Sequence, residues 1–363
     1  MKTPCKTGQA GARLLSIAPM MGWTDRHERY FLRRITRHSL LYTEMVTTGA
    51  LIHNEQMVGS QRRLLAYHES EHPVAIQLGG SEPSALAECA LMAEDAGFDE
   101  ANLNVGCPSD RVRSGAFGAC MMATPGLVAD CVSAMNARVK VPVTVKCRVG
   151  IDDMDDYQAM LNFIDIVATA GCDSFIVHAR KAWLQGLSPK QNREIPPLRY
   201  DYVYRLKQER PELTVVINGG IRSMQDVREH IGHVDGVMIG REAYYNPYML
   251  AAVDSELYGD STAELKSRKQ IVVEMLPYIE QQVSQGVTLH AITRHMLGLF
   301  AGCAGARNWR RTLSEGTHKL EHGDVDAAVA LVEQALSKVS EHAAQAGTTG
   351  SHGQSAGSVA TGS

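Results

Sequence analysis

The chain has 363 residues, 44% of them hydrophobic and 21% charged, a composition typical of a globular protein with one large domain and an appendage. Its formal net charge of −4 excludes a uniformly basic nucleic-acid-binding protein, so any basic surface must be local. The eight cysteines include no C-x-x-C pair, which argues against a zinc site, an iron–sulfur site and a disulfide framework.

The N-terminal segment MKTPCKTGQAGARLL lacks the apolar core that a secretory signal contains. No apolar run reaches the ~20 residues that a helix needs to cross a bilayer. We therefore expect a cytoplasmic protein that is not bound to a membrane. No pattern in the sequence calls for a bound metal or for an obligate protein partner.

Apolar segments that alternate with helical patterns predict eight strands in the first part of the chain. The strands are predicted at 14–25 (broken at Pro19), 40–46, 73–80, 101–105, 142–150, 174–180, 214–220 and 236–244. Helices are predicted at 26–36, 81–97, 124–139, 153–171, 200–209 and 223–231. We expect Thr24 or Asp25 to cap the first helix, Ser81 to cap the second and Gly97 to end it.

Eight alternations of strand and helix in about 240 residues favour a (β/α)₈ barrel over an open doubly wound sheet. The near-continuous apolar strands are typical of a parallel sheet covered on both faces. No G-x-G-x-x-G follows the first strand, which weakens the dinucleotide-fold alternative. We predict a flexible N-terminus at 1–13, the barrel at 14–255, a helical domain at 262–342 and a disordered, Gly/Ser-rich tail at 343–363.

Cys107 follows an alternating strand, Ala-Asn-Leu-Asn-Val, at the point where turn residues begin. In a parallel barrel, catalytic and binding groups collect at this end of the strands. The alternative is that Cys107 is a small core residue, because free cysteine is among the most buried residue types. Position alone leaves both interpretations open.

Lys146 is the lone charge in the apolar strand Val-Thr-Val-Lys-Cys, so it needs an anionic or electron-rich partner or a salt bridge to a neighbouring strand. Two glycine turns, at Gly219-Gly220 and at Gly240, follow strands seven and eight, where barrels commonly bind a phosphate. Arg241 could add a charged contact there. With Gln77 and a histidine near the same mouth, these residues suggest FMN as the ligand.

Several motifs, in this order, resemble the tRNA-dihydrouridine synthases: APMMGWTD, QLGG, NLNVGCPSDRVRSGAFGA, VKCRVG, VHAR, INGGI and IGREAY. RHMLGLFAGCAGARNWRRTLSE is similar to a bacterial branch of that family whose expected targets are uridines 20 and 20a of the tRNA D-loop. The similarity covers about residues 14 to 335. The resemblance implies that uridine is reduced at its 5,6 double bond, with NADPH reducing the flavin. It also implies that Cys107 is the general acid that protonates C5 of the base.

The resemblance further implies a set of FMN contacts around the barrel mouth. These are Ala18, Pro19, Met20, Gln77, Lys146, His178, Asn218, Gly219, Gly220, Gly240 and Arg241. No motif fixes the site of NADPH, and one interpretation is that the reductant occupies the mouth before the tRNA does.

A base in a folded tRNA must leave its stack to be reduced, which requires phosphate contacts around the mouth. The candidates are Arg111, Arg113, Arg180, Lys181, Lys190, Arg193, Arg294, Arg307, Arg310 and Arg311, with Asn104 for the base edge or the ribose. Trp309, interleaved with arginines, suits stacking on RNA, and its alternative is a core tryptophan under a solvated helix face. Two other functions stay open: a small-molecule FMN oxidoreductase of the dihydroorotate dehydrogenase type, and a non-catalytic RNA-binding barrel.

Overall fold

The structure is a computed structural model that describes residues 13–52, 63–109, 112 and 115–340. The predicted flexible segment before Arg13 and the predicted tail at 343–363 lie outside these residues, as do Arg111 and Arg113. Within the described ranges, no helix combines the length and the apolar character that crossing a membrane requires.

Eight parallel strands close into a barrel in which each strand pairs with the next and the first pairs with the last. The predicted (β/α)₈ fold is therefore confirmed. The strands are β1 (Leu15–Ile17), β2 (Leu40–Thr47), β3 (Val74–Gly79), β4 (Glu100–Asn104), β5 (Val143–Arg148), β6 (Ser174–His178), β7 (Thr214–Asn218) and β8 (Gly236–Ile239).

Helices follow the strands and cover the outside of the barrel. Those up to residue 256 are α1 (Arg26–Ile35), α2 (Thr48–Ile52), α3 (Pro83–Asp95), α4 (Pro125–Asn136), α5 (Tyr157–Thr169), α6 (Tyr200–Glu209), α7 (Met224–Ile231), α8 (Arg241–Tyr245) and α9 (Val253–Glu256). Between the barrel and residue 340, the last that is described, lie four more α-helices: α10 (Arg268–Ser284), α11 (Leu289–Met296), α12 (Ala306–Gly316) and α13 (Val325–Ser337).

Helix ends agree with the predicted caps, including Gly97 after the end of α3, except at the start of α3. Asp25 caps α1, where its carboxylate accepts hydrogen bonds from the N–H groups of His27 and Glu28. The predicted cap at Ser81 is wrong, because the side chain of Glu82 accepts the free N–H groups at the start of α3. The predicted extension of the eighth strand to residue 244 is also wrong, since β8 ends at Ile239 and α8 begins two residues later.

Alternation along β4 separates two environments. Ala101 and Leu103 belong to the main core between sheet and helices, whereas Glu100, Asn102 and Asn104 have the opposite parity and face the barrel interior. The interior thus holds polar side chains beside a small apolar cluster. That cluster contains Ala18, Leu40, Tyr42, Ala75, Ile176, Val216 and Met238. The alternation predicted for the run Ala-Asn-Leu-Asn-Val therefore corresponds to the two faces of β4.

The C-terminal helices contact the barrel through α1. The ring of Tyr278 on α10 stacks on Tyr30 at 3.8 Å between centroids, and its hydroxyl lies 2.7 Å from Nδ1 of His27. Asp25 forms ion pairs with Arg294, at 2.5 Å, and with His295 on α11. These contacts place α11 beside the β1–α1 loop, at the end of the barrel where the strands terminate.

Candidate active site

Cys107 lies in the loop after β4, and hydrogen bonds fix both its backbone N–H and its backbone carbonyl. The amide oxygen of Asn104 accepts hydrogen bonds from the N–H groups of Gly106, at 3.2 Å, and Cys107, at 3.0 Å. The carbonyl oxygen of Cys107 accepts one from the N–H of Ala119, at 3.0 Å. Its thiol sulfur lies 3.4 Å from the hydroxyl of Ser109. The thiol therefore projects from a fixed backbone.

Exposure distinguishes Cys107 from the cysteines of the core. Cys147, which is fully buried, has its thiol pKa raised to about 12 by that burial. Cys107 is only half-buried and belongs to neither apolar core. The structure therefore disfavours the interpretation of Cys107 as a core residue. None of the seven described cysteines forms a disulfide: Cys89, Cys107, Cys120, Cys131, Cys147, Cys172 and Cys303.

Lys146 sits on β5 directly opposite Asn104 in the sheet register. Its ammonium group is 3.1 Å from the amide oxygen of Asn218, and the amide nitrogen of Asn218 donates to the carbonyl of Met238 at 2.8 Å. Burial, together with the nearby charge of Arg148, lowers the pKa of Lys146 to about 8. No carboxylate pairs with Lys146 in the part of the chain that is described, so the predicted alternative of a salt bridge is not found there. The ammonium group is available to an anionic partner.

His178 at the end of β6 carries a buried ring nitrogen, Nδ1, that has no hydrogen-bond partner among the described residues. Burial and the charges of Arg148 and Lys146 hold its pKa well below the ordinary value, so the ring is neutral at physiological pH. Buried polar atoms in proteins nearly always have a partner. The orphaned nitrogen therefore indicates that a ligand atom completes this side of the site.

The glycine turns after β7 and β8 lie at the same mouth and differ in the space around them. Gly219 and Gly220 have positive φ angles of 111° and 79°, and a side chain on Gly220 would come within 2.6 Å of the Tyr200 hydroxyl. A side chain on Gly240 would meet only Ala18, at 3.9 Å. The backbone near Gly240 is thus open enough for a bound group to approach closely.

The remaining residues predicted to contact FMN lie around this opening. Pro19 and Met20 are half-buried and follow β1. Gln77 is buried, with its amide oxygen 2.7 Å from the amide nitrogen of Asn104. Arg241 pairs with Glu194 at 2.6 Å, so its guanidinium already has one anionic partner.

The basic residues predicted to contact tRNA fall into two groups. The first group is held in intramolecular contacts. Lys181 pairs with Asp155 at 2.6 Å and lies over the Trp183 ring, and Arg294 pairs with Asp25. Arg180 donates to the carbonyl of Pro196. The others are exposed: Lys190, Arg193, Arg307, Arg310 and Arg311.

Trp309 is fully buried and cannot stack on a base. Its ring packs against Phe300, with centroids 5.0 Å apart, and its N–H donates to the carbonyl of Met296 at 3.1 Å. The alternative of a core tryptophan is therefore correct, and the arginines beside it occupy the exposed face of α12.

A different aromatic group, which the sequence patterns did not single out, lies beside the mouth. The ring of Trp23 stacks on Tyr244 at 4.4 Å and meets the edge of Tyr245 at 5.3 Å. Tyr245 is 56% exposed and Met21 is 60% exposed. We call Trp23, Tyr244 and Tyr245 the aromatic platform. Its members come from the β1 and β8 loops, so no short motif contains all three.

Arg148 is a second residue whose role the sequence patterns did not assign. Its guanidinium donates to the carbonyl of Gly106 at 2.7 Å, to that of Asn192 at 3.1 Å and to that of Lys181 at 3.2 Å. Arg148 therefore ties the Cys107 loop to residues 181–199, the insertion between β6 and α6. The spacing of Lys146 and Arg148, two residues apart on β5, was the available signal that both face inward.

Among the described side chains, no cluster of three or more His, Cys, Asp or Glu residues could hold a metal ion.

A family model described as "Dihydrouridine synthase (Dus)" matches residues 16–340, most of the chain. The chain belongs to the dihydrouridine synthase family. Enzymes of this family catalyse the flavin-dependent reduction of uridine to dihydrouridine in tRNA.

Several curated dihydrouridine synthases are similar over nearly their whole length. A tRNA-dihydrouridine(20/20a) synthase of Vibrio vulnificus (strain CMCP6) is 57% identical over 326 residues, which are 90% of this chain and 96% of the relative. The one of Salmonella typhimurium is 57% identical over 342 residues, 94% and 99% of the two chains. That of Escherichia coli (strain K12) is 56% identical over 339 residues, 93% and 95%.

Proposed function

We propose that this chain reduces uridines 20 and 20a of tRNA to 5,6-dihydrouridine, with FMN as its bound flavin and NADPH as the reductant. The positions follow the names of the relatives, which match over nine-tenths of this chain. The observation that carries the proposal is a half-buried thiol, Cys107, at the same barrel mouth as Lys146, whose ammonium group pairs with no carboxylate among the described residues. A proton donor and an anion-binding cation are the two groups that this reduction requires.

The residues at the mouth fit FMN. Lys146 would supply positive charge to the electron-rich edge of the ring system, and the unpartnered Nδ1 of His178 would gain a hydrogen bond. The N–H groups near Gly219, Gly220 and Gly240 would bind the phosphate, as loops after strands seven and eight do in many barrels. When bound, the flavin supplies the hydride that reduces C6 of the uracil.

Cys107 supplies the second hydrogen. Hydride addition at C6 leaves negative charge on C5 and O4 of the base, and the thiol proton moves to C5 as the new C–H bond forms. Lys146, opposite Asn104 on β5, and Arg148, which donates to the carbonyl of Gly106, place positive charge beside this loop. Solvent then returns a proton to the sulfur. The base thus gains two hydrogens, and NADPH replaces the electrons.

The tRNA backbone would lie on the exposed basic residues near the mouth and on α12. Lys190 and Arg193 lie in the insertion after β6, and Arg307 and Arg310 lie on the outer face of α12. The exposed ring of Tyr245, part of the aromatic platform, offers a stacking surface for a base that leaves the folded tRNA.

In the test, the purified protein is incubated with NADPH and with tRNA isolated from cells that lack this protein. We expect a yellow protein with an FMN spectrum and new dihydrouridine at positions 20 and 20a. A colourless protein that gains no flavin on reconstitution would favour the RNA-binding alternative. Flavin turnover on a small pyrimidine, with none on tRNA, would favour the small-molecule oxidoreductase.

A further inference from the structure

A continuous chain of buried hydrogen bonds runs beneath Cys107 through the barrel interior. It starts at the carboxylate of Glu100, at the N-terminal end of β4, and it crosses three neighbouring strands. Its members are Glu100, Thr144, Asn102, Gln77 and Asn104, all buried. We call this set the interior chain.

The lower half of the interior chain links β4, β5 and β3. The Thr144 hydroxyl donates to Oε1 of Glu100 at 2.5 Å, and Nδ2 of Asn102 donates to the Thr144 oxygen at 2.8 Å. Nε2 of Gln77 then donates to Oδ1 of Asn102 at 2.8 Å. Sheet register places Gln77, Asn102 and Thr144 side by side, so these short bonds need no distortion of the strands.

The upper half reaches the backbone of the catalytic loop. Nδ2 of Asn104 donates to Oε1 of Gln77 at 2.7 Å. Oδ1 of Asn104 then accepts the N–H groups of Gly106 and Cys107. Each amide in the interior chain therefore uses one oxygen and one nitrogen within it.

Every donor in the interior chain points toward Glu100. A carboxylate can only accept hydrogen bonds, so its presence at the lower end fixes which way Thr144 and each amide must face. Turning one amide over would bring two NH₂ groups or two oxygens together, and buried unmatched polar atoms are costly. Bonds aligned head to tail also polarise and strengthen one another.

The lower end is anchored by charge. Glu100 is 0% exposed and forms an ion pair with Arg13 at 2.7 Å. Arg13 in turn donates to the Ser174 hydroxyl on β6. Tyr42 also donates to Oε1 of Glu100, at 2.6 Å, but it does not lie between Glu100 and Cys107.

We propose that Glu100, Thr144 and Asn102 are positioning residues for Cys107. They keep the Asn104 amide in the orientation whose oxygen faces the loop, and that oxygen fixes the backbone from which the thiol projects. None of the three touches substrate or flavin, so their effect on the reaction passes through Asn104. The link to catalysis rests on the proposed role of Cys107, whereas the control of its backbone does not.

The experiment compares three single substitutions in the FMN-loaded enzyme. Thr144→Val removes the hydroxyl that joins Asn102 to Glu100 with little change of shape. Thr144→Ser keeps that hydroxyl. Tyr42→Phe removes a different hydroxyl, which donates to the same oxygen of Glu100, and leaves the path from Glu100 to Cys107 intact. Both positions are buried, so Tyr42→Phe reports what a general loss of core stability does.

The first readout is the rate at which iodoacetamide alkylates Cys107, measured by peptide mass spectrometry relative to Cys303 in the same molecule. We expect Thr144→Val to change this ratio by about threefold or more, with Thr144→Ser and Tyr42→Phe within about twofold of wild type. The second is turnover on tRNA. We expect kcat to fall about tenfold for Thr144→Val at unchanged KM, FMN content and rate of flavin reduction by NADPH.

Equal ratios and equal kcat values in Thr144→Val and Tyr42→Phe would overturn the proposal. If the wild-type enzyme did not reduce tRNA, the proposed function would fail, while the alkylation ratios would still test the control of Cys107. Hydrogen exchange on the wild-type enzyme covers the case in which Thr144→Val does not fold. The amides of Gly106 and Cys107 should be protected, and exchange at the rate of an open loop would refute the interior chain.

Discussion

Replacing Cys107 with alanine separates chemistry from stability. The thiol is half-buried, and among the described residues its side chain makes one hydrogen bond, a 3.4 Å contact with Ser109. Its loss should therefore lower the free energy of unfolding by less than about 1 kcal/mol. The loss of a positioned proton donor should slow reduction of tRNA by a factor on the order of 10²–10⁴. We expect FMN content to stay unchanged.

The assay is a single turnover in which the prereduced enzyme is mixed with tRNA and reoxidation of the flavin is followed by visible absorbance. Cys147→Ala is the matched control, because Cys147 lies between Lys146 and Arg148 on β5 but faces the outer core. It should cost about 1–2 kcal/mol of stability and leave the rate nearly unchanged. Near-normal dihydrouridine formation by Cys107→Ala would refute its role as the proton donor.

Three further predictions concern cofactor and tRNA binding. Lys146 has a pKa of about 8 in the folded protein, below its usual 10.5, so its ammonium form is lost as pH rises through 8. The affinity for FMN, measured by equilibrium dialysis, should therefore fall in this pH range in the wild type. In Lys146→Met the affinity should be independent of pH. Between pH 8 and 10.5 the unfolded chain binds more protons than the folded protein, because Lys146 is still protonated in the unfolded chain. The free energy of unfolding of the FMN-free protein should therefore rise with pH in this range, and this rise should be absent in Lys146→Met. Tyr245→Ala should weaken tRNA binding by about 1–3 kcal/mol without loss of FMN, whereas Val273→Ala, another exposed apolar site, should not. Arg310→Gln should reduce the slope of log K against log salt by about 1 in filter binding; an unchanged slope would remove Arg310 from the tRNA contacts.

The candidate site residues that the sequence indicated are those marked by a pattern within a short window. Lys146 stood out because a lone charge in an apolar strand is rare, and Cys107 because an alternating strand ended beside it. The cap of α3 was misplaced by one residue because Ser81 and Glu82 are both good acceptors, and only the fold shows which oxygen reaches the free N–H groups.

Contacts between distant segments could not be predicted in this way. The stacking of Trp23 on Tyr244 joins the loops of the first and last strands, which become neighbours only when the barrel closes. Likewise, the pairing of Lys181 with Asp155 and of Arg294 with Asp25 removes two predicted RNA-contact residues from the set of free cations. Local charge patterns indicate that a residue is basic but not whether it already has a partner.

In barrel enzymes the catalytic residues usually lie at the C-terminal ends of the strands, whereas residues at the N-terminal ends, the lower rim, mainly contribute to stability. The Arg13–Glu100 ion pair at the lower rim departs from that division, because it terminates the polar path that leads up to the catalytic loop. Under the proposed role of the interior chain, engineering the lower rim for thermal resistance, which most barrels tolerate, would alter the backbone that carries the Cys107 thiol.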